Sequence, residues 1–173
     1  MSTIVLSLSY LVSLIVFLTV LYLLFNRFLK NCTQQKNPEM EREALRIMLP
    51  LKIQAYERMM LFLERIFPRN LIIRELNPGL PVNEYHLNLV KTIREEFDHN
   101  LAQQLYISVE TWELIKSAKE EIIQLIHKAS MEMASISDSS VLAGVIIETA
   151  TSLKMDSWHT AARKLKEEFA RLG

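Results

Sequence analysis

The chain is poor in cysteine, in glycine and in excess charge of either sign, and each scarcity removes a class of protein. Cys32 is the only cysteine, which excludes a disulfide framework and any multi-cysteine zinc or iron–sulfur centre. It comes after an apolar run, so it reads either as an acylation point or as an incidental thiol in a reducing compartment. The three glycines form no glycine-rich phosphate loop, and no Gly-x-Ser-x-Gly nucleophile turn is present. The 20 basic and 20 acidic side chains cancel, whereas a general nucleic-acid binder carries a basic excess, so no nucleic-acid partner is expected.

What the chain does have is an uninterrupted apolar run from Ile4 to Phe25, free of charge, proline and glycine. At ~1.5 Å per residue this helix is long enough to cross a hydrocarbon core of roughly 30 Å. A cleaved signal peptide would show a basic n-region, a shorter apolar core and a small-residue cleavage site. Met1, Ser2 and Thr3 carry no basic side chain, and the stretch from Asn26 to Lys30 offers no A-x-A-like site. The expectation is an uncleaved transmembrane anchor over residues 1–30. Arg27, Lys30, Lys36, Arg42 and Arg46 all come after the run, which by the positive-inside rule places the remaining chain in the cytoplasm. Ser9 and Ser13 share a face of this helix, either as a small-residue contact for another span or as singly tolerated serines.

After the anchor, residues 31–37 read as a polar juxtamembrane linker and residues 38–173 as one helical domain. Asn37 and Pro38 resemble an N-cap followed by proline at the first helical position, and Pro50 is expected to kink or split the helix that begins there. Leu49, Ile53, Tyr56, Met60, Leu63 and Phe67 recur at helical spacing. Met48, Leu51, Ala55, Met59, Phe62 and Ile66 form an adjoining seam. A face this wide exceeds what one neighbouring helix covers, so it serves either an intramolecular core or a shared oligomer interface. Leu71 to Ile73, between prolines, suggest an extended piece or a single turn. A helix from about Asn83 carries a stripe from Val90 to Leu105, with a break near Asn100 as the alternative to one continuous helix. Ser108 is a candidate N-cap for the next helix. Ser135 to Ser140 reads as a loop, with Asp138 or Ser139 capping a further helix, and Asp156 or Ser157 as the cap of the last one.

Candidate chemistry is sparse. Glu96-Phe-Asp-His99 has the Glu-x-x-His spacing of a di-iron ligand pair, but its only companion is Asp156-Ser-Trp-His159, so no metal site is expected. His86, His99, His127 and His159 lie far apart in sequence and read as four separate places. The acidic pairs Glu95/Glu96, Glu120/Glu121 and Glu167/Glu168 read as ordinary solvated helix faces. The polar stretch from Glu95 to Gln104 is either a polar binding surface or buried hydrogen-bond network, or else a plain helix face or a helix break near Asn100.

The runs Leu51-Lys-Ile-Gln-Ala-Tyr-Glu-Arg58 and Leu63-Glu-Arg65 are joined by His99-Asn-Leu-Ala-Gln-Gln-Leu-Tyr106 and by Trp112 before Ala118-Lys-Glu-Glu121. Together they resemble an uncharacterised family from the bacterial phylum Bacteroidota, whose layout is one N-terminal membrane helix and a helical cytoplasmic body. The resemblance implies a bacterial inner-membrane location and carries no catalytic residues and no cofactor. It singles out Tyr56, Glu57, Arg58, Glu95, His99, Asn100, Gln103, Gln104 and Trp112 as a candidate interaction surface. The expectation is therefore an all-α protein, a transmembrane helix followed by a small helical bundle. It would act as a membrane-anchored scaffold that binds itself or a cytoplasmic protein, with the lipid bilayer as partner of Ile4 to Phe25. A membrane-bound enzyme built on Glu95, Glu96 and His99, and an accessory subunit of a larger membrane complex, are the alternatives.

Overall fold

A computed structural model describes residues 2–34, 38–133, 138–153 and 155–172. Among these residues the secondary structure is entirely helical, with seven α-helices and one 3-10 helix. Two compact units are distinguished, Met1–Ile47 and Met48–Gly173, so the larger one begins ten residues after Pro38, where patterning alone would start it. Helix α2 contributes residues to both. The expected Asn37 cap, and residues 135–137 of the Ser135 to Ser140 loop, lie outside the described residues.

Helix α1 spans Ser2–Gln34, so the polar stretch from Asn31 continues the helix rather than opening a linker. Helix α2 spans Pro38–Ile66 and contains Pro50. The helix is continuous through Pro50, so the proline does not split it. A proline inside a helix costs one hydrogen bond and introduces a local clash, but the flanking residues Glu43 to Met48 are good helix formers. Beyond Pro50 the packing of Ala55, Met59, Phe62, Leu63 and Ile66, all 0 % exposed, holds the helix in place. The real terminator is Pro68, which drives Phe67 to an extended ψ of 130° and then opens helix α3, Pro68–Glu75. The segment around Leu71 to Ile73 is thus a two-turn helix rather than an extended piece. Asn70 Nδ2 donates to the Glu64 carbonyl at 2.8 Å, satisfying an end carbonyl of α2.

Asn77, Pro78, Gly79 and Leu80 make the next turn, with Gly79 at φ 104°, a left-handed conformation that a side chain would strain. Helix α4 comes next, Val82–Asp98, and then the 3-10 helix Leu101–Leu105. The break near Asn100 is therefore the alternative that the structure adopts. Helix α5, Val109–Glu132, starts at Ser108, whose hydroxyl oxygen accepts the Thr111 N–H as expected of an N-cap. Helix α6, Ser139–Ser152, is capped by Asp138, which accepts the Ser140 N–H at 2.8 Å. The buried Ser139 hydroxyl donates to the Asn77 carbonyl at 3.0 Å and pins the start of α6 to the Gly79 turn.

Helix α7, Asp156–Ala170, departs from expectation. Neither Asp156 nor Ser157 caps it; Met155 occupies the N-cap position at φ 43° and makes no side-chain capping bond. Glu121, reaching across from α5, accepts the Trp158 N–H at 3.3 Å instead. Burial of Met155 to 3 % exposure offsets the left-handed backbone, which costs roughly 1–2 kcal/mol.

Within the larger unit, α5 packs against α4, α6 and α7. Its apolar positions Trp112, Ile115, Ala118, Ile122, Ile126 and Ala129 are all buried. A chain of rings ties α2 and α4 to this centre. Phe62 lies 5.6 Å from Phe97, and Phe97 lies 5.3 Å from Trp112. The Lys119 ammonium sits 4.5 Å above the Phe97 ring. On the other side Trp158 packs on Phe67 at 4.9 Å and donates its indole N–H to the Leu63 carbonyl at 2.8 Å.

Two variants separate packing from polarity. Phe62→Ala removes a side chain that is 0 % exposed and should cost about 3–5 kcal/mol, seen as a lower denaturant midpoint at unchanged slope. Tyr85 is equally buried, but its hydroxyl has no hydrogen-bond partner among the described residues. Tyr85→Phe should therefore leave the midpoint unchanged or raise it, because a buried hydroxyl without a partner contributes a penalty.

Candidate functional site

An apolar groove of about 460 Å³ lies between α2 and α7 in the larger unit. Tyr56, Met60 and Leu61 form one wall, and Leu165 and Phe169 form the other. Glu57, Glu64 and Lys166 stand on its rim. Leu61 and Phe169 remain 57 % and 44 % exposed, so apolar surface lies open to solvent at the floor of a charged frame. Tyr56 and Phe169 meet edge to face with ring centroids 6.2 Å apart, which fixes the groove's end.

Behind Tyr56 one carboxylate gathers three hydroxyls. Glu168 Oε1 accepts from Ser108 Oγ at 2.5 Å and from Thr111 Oγ1 at 2.6 Å, while Oε2 accepts from Tyr56 Oη at 3.1 Å. These bonds join α7, the N-cap of α5 and α2. Burial raises the Glu168 pKa, but the hydrogen bonds from Ser108, Thr111 and Tyr56 outweigh it and hold the carboxyl below its ordinary 4.5. Tyr56 is pushed up to about 12, first by burial and then by the Glu168 carboxylate it serves. A carboxylate held this acidic is a weak base near neutral pH, so the cluster suits positioning rather than proton abstraction. Glu168 and Glu121 are thus not the solvated surface carboxylates that their sequence context suggested.

The polar stretch after Glu95 has a different use. His99 Nδ1 donates to the Glu95 carbonyl at 2.6 Å, and Asn100 Nδ2 donates to the Glu96 carbonyl at 2.8 Å. Both side chains close the last carbonyls of α4, which is why the helix stops there. Asn100 is only 7 % exposed. Glu95 faces solvent beside Lys91 at 3.7 Å. Glu96 lies 2.9 Å from Arg65 Nε without hydrogen-bond alignment, so that contact is electrostatic. Gln103 is half-buried and Gln104 exposed on the 3-10 helix.

Of the nine residues singled out from sequence, Tyr56 and Glu57 line the groove, and Arg58 is exposed one position further along α2. Glu95, His99, Asn100, Gln103 and Gln104 cluster at the end of α4 and the 3-10 helix. Trp112 belongs to neither place. It is 7 % exposed and stacked beside Phe97, so it supports the core and offers no side chain to a partner. Glu96 and His99 do not converge as ligands, since one faces Arg65 and the other its own helix end. Among the described residues no group of three or more His, Cys, Asp or Glu side chains is arranged to hold a metal ion.

The four histidines are not all separate. His86 Nε2 on α4 and His127 Nδ1 on α5 share a hydrogen bond at 2.7 Å, with the rings edge to face at 4.7 Å. Burial and then the neighbouring His127 lower the His86 pKa from 6.5. Nothing in the sequence separation of 41 residues announces this pair, whereas Ser108 was already legible as an N-cap.

These shifts set the pH dependence of stability. His86 titrates lower in the fold than in the unfolded chain, so its contribution is present above pH 6.5 and is lost as pH falls. Glu168 behaves alike, with stability present above pH 4.5 and lost below it. Tyr56 and Tyr85, both raised to about 12 from 10, contribute below pH 10 and lose that contribution between pH 10 and 12. Glu168→Gln should flatten the acid limb below pH 4.5 in thermal melts across pH, and His86→Phe should flatten the limb just below pH 6.5.

No curated protein matches the chain, and no solved structure does. Over residues 2–172 the chain matches a family of unknown function, DUF7935, and it belongs to that family.

Proposed function

We propose that the chain is a single-span, membrane-anchored helical interaction module of the bacterial inner membrane, with its helical body on the cytoplasmic side. The observation that carries this reading is the stretch Tyr10–Leu29. It is long and apolar enough to cross a membrane, and none of it is buried. A core helix of a soluble protein of this length would be covered by its own chain, whereas these side chains are left to the solvent around them. Leu11, Leu14, Phe17, Leu21 and Leu24 are all more than half exposed. The basic residues after the span support the cytoplasmic orientation.

Docking would take place on the body. The groove between α2 and α7 combines open apolar side chains with flanking Glu57, Glu64 and Lys166, the composition of a surface that takes a helix. The anchor supplies the mechanism. Confinement to a bilayer raises the effective concentration of whatever the body holds, without any catalytic step.

Two measurements test the anchor. Full-length protein should stay in the pellet after alkaline carbonate extraction of membranes, and a C-terminal fusion should fluoresce as GFP and be inactive as alkaline phosphatase. A mature protein shortened at its N-terminus and recovered from the soluble fraction would identify Tyr10–Leu29 as a signal sequence and sink the reading. Leu61→Glu, in the groove, should abolish partner retention while leaving membrane retention and the melting temperature unchanged.

A further inference from the structure

We infer that His86 and His127 form an open-sided site for a late first-row transition-metal ion, held between α4 and α5. The inference goes beyond the interaction module proposed above and depends on neither its anchor nor its groove.

The two imidazoles already stand close to where a shared metal ion would put them. A nitrogen ligand lies about 2.0–2.1 Å from such an ion, and two neighbouring ligands subtend roughly 90–110° there. That geometry sets the two nitrogens about 2.8–3.4 Å apart and the two ring centres about 4.5–5.3 Å apart. His86 Nε2 and His127 Nδ1 are 2.7 Å apart, and their ring centres are 4.7 Å apart. To admit an ion the nitrogens part by only about 0.1–0.7 Å, which small side-chain rotations supply without moving either backbone. Buried neighbours fix those backbones, Tyr85 and Leu89 on α4 and Ile123 and Ile126 on α5. Both histidines are themselves half-buried, so one side of the pair is held in the body and the other meets water. Asn83 lies one turn before His86, and Gln124 and Met131 lie one turn to either side of His127; all three are exposed, which leaves a path for entry. Two side chains are fewer than a closed protein site supplies, so water completes the coordination.

The donor atoms choose the class of ion. Both are imidazole nitrogens, which suit nickel, copper and zinc, whereas magnesium and calcium take oxygen ligands. Among the described residues neither ring has a carboxylate partner. A metal needs the neutral imidazole, and burial together with His127 favours that form of His86. In the metal-bound pair His86 Nε2 and His127 Nδ1 both present lone pairs, and the ring protons sit on His86 Nδ1 and His127 Nε2. The proton that lies between the rings in the empty site moves to an outer nitrogen, so a neutral pair releases none on binding. An ion held this way belongs to two helices at once. The unfolded chain separates the two ligands by 41 residues, so binding favours the packed α4–α5 pair over it.

Calorimetric titration of the full-length chain in detergent tests the site, with Cys32→Ser as background and a purification tag free of histidine. Nickel and zinc chloride should each bind in a one-to-one ratio, and magnesium chloride should not bind. At about 100-fold excess over the dissociation constant, nickel should raise the melting temperature by roughly 5–10 °C. His86→Ala and His127→Ala should each weaken nickel binding by roughly tenfold or more and remove that rise, since each leaves a single ring. His159→Ala, at an exposed histidine on α7, should change neither. The two substitutions at the site also break the bond between α4 and α5, so a readout on the unsubstituted pair is needed as well. Copper(II) added at one equivalent should give an electron paramagnetic resonance spectrum with two imidazole nitrogens as ligands. Absence of nickel binding overturns the proposal, as does binding that persists undiminished in both variants, an equal response to magnesium, or a copper(II) spectrum without two nitrogen ligands.

Discussion

The larger unit depends on one constraint, that α5 is apolar on more than one side and has to be covered on each. Ile115, Ala118, Ile122 and Ile126 are fully buried, and α4, α6 and α7 supply the cover. Small residues make this possible. Ala118 and Ala129 on α5, with Ala161 and Ala162 on α7, let helices approach closely while Leu165 fills the space beside them. Helix α2 then joins through rings, Phe62 on Phe97 and Phe67 on Trp158, rather than by backbone proximity. Its outer edge is left free, and it is there that the groove and its open Leu61 lie.

Polar groups in this fold mostly finish helices. His99 and Asn100 close α4, Ser108 and Asp138 open α5 and α6, and Glu121 stands in for the cap that α7 lacks. Glu168 joins three helices through hydroxyls, each bond strengthened by the carboxylate charge. A body fixed this way at its helix ends keeps, on the proposed reading, the groove between α2 and α7 in one shape for a partner. On the proposed reading, function resides in exposed apolar surface rather than in a cluster of reactive groups.

Much of the architecture was legible in the sequence because it rests on local periodicity. The stripe of Trp112, Ile115, Ala118 and Ile122 announces α5, and the Ser108 cap and the Phe67-Pro68 junction act over a few residues only. That Pro50 does not split α2 was not legible, because a proline's cost is local while the packing that holds the helix beyond it comes from residues distant in sequence. Trp112 misled differently. Its identity fits an interface anchor as well as a core, and only its contact with Phe97 tells which. The groove was half legible, since Tyr56 and Glu57 lie on a patterned helix, while Leu165 and Phe169 reach them from more than a hundred residues away.

By itself the sequence determined the helical class, the apolar helix at the N-terminus, the neutral charge balance and most helix starts, since each depends on side chains within a few turns of one another. Tertiary structure alone decided what the carboxylates and histidines do. Glu168 and Glu167 are adjacent and chemically identical, yet Glu167 pairs at the surface with Arg163 while Glu168 turns inward to Ser108, Thr111 and Tyr56. His86 and His127 meet because α4 and α5 pack at those turns. A charge's partner is set by distance in space, and in a helical body the distance between two helices is a property of the packed whole.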